Sequence, residues 1–340
     1  TKRGKKGIPK IMVDTYYGVQ NFPKKNIPKW NTSQQYADLS QEAMTNRNQR
    51  EGWLPGQQEF LALHPHLQAG SPYLNINTDW QDAAIVDNAP ITNSTISVSG
   101  GGESNNYFVS AGYFKQEAIV PEWETERFTF RANSDYKIGK KFTFGQTLTI
   151  AHQDTKRGAN NSGDGMVFSN SANMPPFFLI YEDPNNPIPN NRYGFNGNLN
   201  VAGLTVHNML GMNEILDNSE KLLRLIGGIY GEFEIISGLK FRSAASLDFN
   251  YGNDSYWNPG YTAAEIGINR PQTYQSGRSE SYTQIFTNTL SYGKSIGDHN
   301  FNILAGFEYQ KLRNSDISIT GENYISTDPA FYVSVKNARS

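Results

Sequence analysis

The sequence predicts an all-β chain, an antiparallel up-and-down transmembrane β-barrel present as a partial wall of about nine strands with long loops on one rim. Three observations predict it. Apolar and polar residues alternate with period two over stretches longer than an ordinary globular strand. The links between these stretches alternate between tight turns and long polar loops. No apolar run approaches the roughly 20 residues of a membrane-spanning helix; the best candidate, Leu222 to Tyr230, is short and holds Arg224.

The alternation is clearest where Leu239, Phe241, Ser243, Ala245, Leu247, Phe249 and Tyr251 form one row against Lys240, Arg242, Ala244, Ser246, Asp248 and Asn250. Phe128, Phe130 and Ala132 oppose Arg127, Thr129, Arg131 and Asn133, and Phe142, Phe144, Leu148 and Ile150 oppose Thr143, Thr147 and Thr149. Phe301, Ile303, Ala305, Phe307 and Tyr309 oppose Asn302, Glu308 and Gln310. Further strands are expected over 8–20, 93–100, 105–119, 219–236 and 279–294. One helix is expected over 34–48, with Tyr36, Leu39, Ala43 and Met44 at helical spacing behind Thr32 or Ser33 as cap.

Tight turns rich in Gly, Ser and Asp are expected at 101–104, 139–140, 237–238 and 295–298, and the other connections at 21–92, 120–124, 154–218 and 252–278. Short turns on one rim and long loops on the other characterise outer-membrane barrels, whose strands average out as hydrophilic because lipid-facing and lumen-facing residues alternate. A soluble antiparallel sandwich or propeller with one wet face also alternates and stays as the alternative. Strand length and rim asymmetry favour the barrel.

Composition narrows the function. A net charge of -2, from 30 basic and 32 acidic residues, offers no basic surplus for nucleic acid. With 37 % hydrophobic, 13 % aromatic and 18 % charged residues, the chain is neither disordered nor a coiled coil. The absence of cysteine excludes disulfides, Cys-ligated zinc, iron–sulfur clusters and a thiol nucleophile. Residue 1 is Thr, and the first ten residues hold no apolar signal-peptide core, so a segment of a longer chain is expected.

Motifs for chemistry are absent: there is no Walker A loop, dinucleotide GxGxxG, GxSxG elbow or HExxH. Gly100-Gly101-Gly102 joins two strands and is expected as a hairpin rather than a phosphate cradle. His64-Pro65-His66 lacks a third ligand nearby, and Tyr181-Glu182-Asp183-Pro184-Asn185-Asn186 lacks the spaced acids of a calcium loop. Glu122, Glu124 and Glu126 fall at a hairpin tip beside Trp123, a solvated place for carboxylates. No catalytic, cofactor-binding or metal-binding residue is assigned. Function is expected in the loops 53–80, 154–218 and 252–278, where aromatic faces among amides suit sugars, peptide side chains or a protein lid. The candidates for contact with substrate or lid are Trp53, Trp80, Tyr181, Tyr193, Trp257 and Tyr261.

Several segments together resemble the SusC/RagA family of TonB-dependent outer-membrane transporters. The run from Thr1 to Gly7 (TKRGKKG) is similar to the family's exit from its plug domain. Tyr16-Tyr17-Gly18-Val19-Gln20 and Thr78-Asp79-Trp80-Gln81-Asp82-Ala83 follow in family order, and the most specific run is Ile96 to Glu117, continuing through Arg127–Ile138 and Lys141–Ile150. Ala118 stands where the family usually has Gly. The resemblance is dense over 1–152 and only a pattern of strands and loops beyond. It implies 1–7 as the end of the plug and 8–340 as the N-terminal part of a barrel of about 22 strands. It further implies an outer-membrane location in a Gram-negative bacterium, energy from TonB, a SusD-like lipoprotein lid, and import of oligosaccharides or oligopeptides with no chemistry and no cofactor. From a different class, a soluble secreted β-rich glycan-binding module is the alternative. An open sheet of nine strands would leave two unpaired edges, costly in lipid, so the segment needs neighbouring strands.

Overall fold

The alternating stretches form strands that pair with their neighbours in sequence. The structure is a computed structural model and describes residues 4, 6–23, 29, 32–52, 67–158, 165–185, 194–196, 199–201, 204–206, 208–263, 268–322 and 324. The strands are β1 (Gly7–Gln20), β2 (Ala89–Gly101), β3 (Asn105–Glu117), β4 (Glu124–Ile138), β5 (Phe142–Arg157), β6 (Leu199–Val201), β7 (Leu204–Val206), β8 (Asp217–Ile236), β9 (Leu239–Asn258), β10 (Tyr261–Ala263), β11 (Ile268–Arg270), β12 (Thr273–Ile296) and β13 (His299–Glu322). Nine of them make one antiparallel sheet in the order β1-β2-β3-β4-β5-β8-β9-β12-β13; β6–β7 and β10–β11 are small separate pairs inside loops. The expected nine-stranded meander is the observed one.

Four links are tight, at 102–104, 139–141, 237–238 and 297–298, and all lie on one rim. Gly139, Gly238 and Gly297 adopt φ of 61°, 82° and 58°, left-handed values that a Cβ disfavours. The triple glycine is a hairpin: Gly102 N–H donates to Asn105 O at 2.9 Å, and a Cβ on Gly101 would lie 2.6 Å from that same oxygen. The opposite rim carries 21–88, 118–123, 158–216 and 259–272.

Residues directly opposed across a ladder share a face, and the register carries one apolar face across the whole sheet. Val13, Ile96, Ala111, Phe130, Ile150, Leu225, Phe249 and Tyr282 form a single cross-strand row from β1 to β12, which ends on β13 at Arg313. The next residue along each strand belongs to the other face, giving Met12, Ser97, Ser110, Arg131, Thr149, Ile226, Asp248 and Thr283. On β4 the apolar face runs from Phe128 to Ile138, ten steps of about 3.4 Å, which a tilt of about 40–45° reduces to roughly 25 Å, the height of a barrel's lipid-facing band. Phe130, Ile229 and Phe286 remain 41 %, 55 % and 47 % exposed, and among the described residues no second layer packs on them. The soluble sandwich is therefore set aside, because a sandwich would bury this face.

The other face is polar and internally paired. Arg224 meets Asp248 at 2.9 Å, Tyr230 OH donates to Asp135 at 2.7 Å, and the Arg242 guanidinium lies 3.5 Å over the Tyr230 ring. Glu232 bridges Lys240 and Arg242 at 3.4 and 3.6 Å. These are half-exposed pairs that contribute up to about 1 kcal/mol each.

One expectation is corrected. The loop expected over 252–278 is about half strand, since β9 continues to Asn258 and β12 begins at Thr273, leaving 259–272 as the connection. Above the apolar band the sequence turns to Asn, Ser and Gly on both faces, so alternation disappears while the backbone ladder goes on. β12 and β13 reach 24 residues each, more than twice the roughly 9–11 that cross a bilayer, so both project beyond it.

Helix α1 (Ser33–Glu51) matches the expected helix, with Thr32 as cap: its Oγ1 accepts from Gln35 N–H at 3.1 Å, and Gly52 closes the other end with φ 74°. Short helices α2 (Trp80–Ala83), α3 (Gly165–Asn173) and α4 (Met209–Ile215) were not expected. Among the described residues no helix is long and apolar enough to cross a membrane.

Candidate functional site

The larger buried hydrophobic cluster of the described residues lies in the long connections, and a smaller one joins Trp257 of β9 to Tyr324. Tyr36 and Ala37 from α1, Trp80 from α2, Val120 from the β3–β4 link, Val167 from α3, Met174 and Phe177 after it, and Met209, Leu210 and Met212 from α4 pack into one cluster. Phe177, 1 % exposed, is its pivot: Tyr36 meets it edge-on at 5.6 Å and Phe178 tilts against it at 4.3 Å. Burying such a ring contributes about 1.5–3 kcal/mol. Backbone bonds tie the segments, from Thr78 N–H to Pro176 O at 2.9 Å and from Val86 N–H to Ile119 O at 2.8 Å. The described parts of the 21–88, 118–123 and 158–216 connections therefore form one folded cap at the long-loop rim.

Asn208 shapes the centre of the cap. Its Oδ1 caps α4 by accepting from Gly211 N–H at 3.0 Å, while its Nδ2 donates to Ile180 O at 2.8 Å and Asn196 O at 2.9 Å. One side chain thus fixes α4 against the strand-like stretch where Tyr181 bridges Phe195. Between α2, α4 and the β3–β4 link lies an open cavity of about 440 Å³, within the range of small-ligand sites. Ala83, Pro121, Ile180 and Leu210 give it apolar walls, and Glu122, Tyr181, Asn213 and Glu214 give it polar ones.

The polar walls are held by specific partners. Tyr181 OH donates to Glu214, and that bond, helped by partial burial, pushes the phenol pKa up, so Tyr181 stays protonated as a donor. Glu122 adopts φ 63°, unusual for a residue with a Cβ, and meets Lys156 at 2.9 Å. Glu124 and Glu126 both meet Lys115, at 3.4 and 3.3 Å. The three glutamates therefore serve ion pairs at the hairpin tip. At the α2 cap, burial raises the Asp79 carboxyl pKa, but Lys29 at 2.7 Å and the Asp82 and Gln81 N–H groups outweigh it and hold the pKa below its ordinary value.

The structure distributes the sequence candidates unevenly. Tyr181 lines the cavity and is 49 % exposed. Trp80 is buried in the cap core, and its indole N–H has no hydrogen-bond partner among the described residues. Trp257 is buried at the end of β9, edge-on to Tyr324 at 5.5 Å. Tyr261 opens β10, its backbone opposite Arg270. Trp53 and Tyr193, like His64 and His66, lie outside the described residues. Asp183 accepts from Asn185 N–H at 2.9 Å, a local turn. Among the described residues no group of three or more His, Asp and Glu is placed to share a metal ion. Leu210, Asn213 and Glu214 were missed; their signal was Asn208 ahead of Met209, Leu210 and Met212, a capped helical turn inside a long loop.

No family model matches the chain. Curated relatives do: TonB-dependent receptor P3 of Formosa agariphila is 26 % identical over 260 residues, covering 75 % of this chain and 25 % of the relative. TonB-dependent receptor P39 of the same organism is 26 % identical over 320 residues, covering 92 % and 27 %. The chain thus spans about a quarter of the length of the curated relatives it matches. Among solved structures, the RagAB peptide transporter aligns with all of this chain and 38 % of its own, at TM-score 0.74 and 20 % identity. The RagAB peptide importer in its open-open state aligns at 0.75 and 19 %. With one apolar face, tight turns on one rim and a folded cap on the other, the chain is a partial outer-membrane β-barrel wall that shares its fold with the RagAB structures and is similar in sequence to TonB-dependent receptors.

Proposed function

We propose that this wall belongs to an importer that takes oligosaccharides or oligopeptides across the outer membrane, driven through TonB and working with a SusD-like lipoprotein. In this reading 1–7 end the plug, 8–340 form the N-terminal part of the barrel, and the cap contributes contacts to cargo or lid without chemistry of its own. The observation that carries it is the pairing of a lipid-height apolar face with a folded, cavity-bearing cap on one rim only. A wall needs the first, and a selective entrance needs the second. Tyr181, Glu214 and Asn213 offer hydroxyl, carboxylate and amide groups beside an apolar wall, a set that suits hydroxyls and backbone amides alike. The description of the solved relatives as peptide transporters favours the oligopeptide arm.

The test is uptake. Deleting the gene that encodes the complete receptor should abolish growth on one class of defined oligomer and spare its monomers, and the purified receptor should carry the lipoprotein with it. Unchanged uptake of every oligopeptide and oligosaccharide tried, with the receptor verified in the membrane of the parent strain, would defeat the proposal.

A further inference from the structure

The walls of the cap cavity are charged in one sense. They come from 79–87, 118–123, 177–185 and 208–217, which hold three, one, two and two carboxylates and neither Lys nor Arg. A chain whose net charge is only -2 thus gathers eight acids in the segments around one cavity. Among the described residues two lysines pair with them, Lys29 with Asp79 at 2.7 Å and Lys156 with Glu122 at 2.9 Å, the latter through Oε2. Arg157, the next cation along β5, is engaged by Glu220 at 2.9 Å. Charge of one sign around a cleft with low-dielectric walls focuses the field into it and concentrates ligands of the opposite sign.

The shape and lining of the cavity specify the form of that ligand. Glu214 stands in the wall with Oε1 taken by the Tyr181 hydroxyl, and it makes no ion pair among the described residues. Ala83, Ile180 and Leu210 line the same space, which at about 440 Å³ is far larger than a lone cation needs. A hydrated metal ion would leave the apolar walls unused, and a neutral sugar ring would leave the charge unused. A sulfated or uronic sugar would be repelled. An ammonium group on an aliphatic stem uses both, with its N–H donors on carboxylate and its carbons on the apolar wall.

We infer that the cap cavity receives an ammonium group of an oligopeptide, its N-terminal amine or a lysine amine, on Glu214 and Glu122, with the adjoining aliphatic carbons against Ala83, Ile180 and Leu210. This rests on the import reading above and narrows it to cargo that carries a positive charge. It also gives the cap a means of sorting, since neutral and acidic oligomers of the same size gain nothing from the field.

The test uses the complete receptor in nanodiscs at pH 7 and three C-terminally amidated pentapeptides of Ala and Ser, with binding read by titration calorimetry. One has a free N-terminal amine, one is Nα-acetylated, and one is Nα-acetylated with a central Lys. An amine-bearing peptide should bind on the order of tenfold more tightly than the plain acetylated one, the scale of one charge-assisted hydrogen bond. The free-amine and Lys peptides separate the two sources of the ammonium, according to which of them binds tightly. In Glu214→Gln, whose amide oxygen still accepts from Tyr181, the tight peptide should lose about that factor while the plain acetylated peptide stays within about twofold. Equal affinity for all three peptides overturns the inference and leaves oligopeptide import standing, whether or not the variant folds. Unchanged affinity in a folded Glu214→Gln, or an equal loss for the plain acetylated peptide, overturns it too. Binding of none of the three, with oligosaccharide uptake intact, overturns it together with the oligopeptide reading.

Discussion

Ile226 and Ile229 stand three residues apart on β8 and differ in the face they occupy. Ile229 is directly opposite Gln146 and Ala245 on the apolar face, near the middle of the band, and Ile226 is opposite Thr149 and Asp248 on the polar face. Replacing each with Arg makes the same chemical change in the same strand, so strand propensity and chain charge cancel in the comparison. An Arg at mid-band on the lipid face costs about 2–4 kcal/mol, while a lumen-facing Arg beside Asp248 costs near zero. Ile229→Arg should therefore disfavour the folded barrel roughly 30- to 700-fold relative to Ile226→Arg. The assay is urea titration of the complete receptor folding into lipid vesicles, with the folded fraction read from the unboiled band on a gel. Equal midpoints, or a larger loss in Ile226→Arg, would refute the facing assigned to every strand, because a register is fixed in common across the sheet.

Further expectations concern the cap and the turns. Burial pushes the Tyr36 phenol pKa up from 10.0 to about 12. The native cap therefore holds a proton that the unfolded chain has released, and its stability is complete below pH 10 and falls by roughly 2–3 kcal/mol as pH rises to 12; Tyr36→Phe should flatten that slope in a melting series. Thr32→Ala removes the α1 cap, costs about 1 kcal/mol, and should speed hydrogen exchange of the first turn of α1 while leaving the strands unchanged. Phe177→Ala should cost about 3–5 kcal/mol locally, opening the cap to protease while the barrel keeps its gel shift. Gly238→Ala forces a Cβ into φ 82° against the neighbouring Gly293 backbone and should cost more than about 1 kcal/mol, visible as slower folding of the complete receptor.

The sheet was legible because its physics is local in sequence. A strand with lipid on one side and water on the other must alternate, so Phe241, Ala245, Leu247 and Phe249 announce both the strand and its facing without knowledge of any partner. Turns were legible for a similar reason: Gly139, Gly238 and Gly297 answer to backbone geometry alone. Where β9 and β12 rise above the band, neither face is dry, the alternation that lipid imposes vanishes, and the strand ends move out of sight of the sequence.

The cap was illegible for the opposite reason. Its core joins residues as far apart as Tyr36, Trp80, Val120, Phe177 and Leu210, each contributed by a short segment too brief to set up a period of its own. An aromatic in a polar loop reads the same whether it faces cargo or a neighbouring loop; Trp80 and Tyr181 differ only in what the other connections do around them. Tyr181 stays open because Asn208 fixes α4 beside it and Glu214 takes its hydroxyl, a relation no local pattern encodes. The cap is therefore free to change by altering how loops pack on one another, while the wall below, held by alternation and register, stays the same.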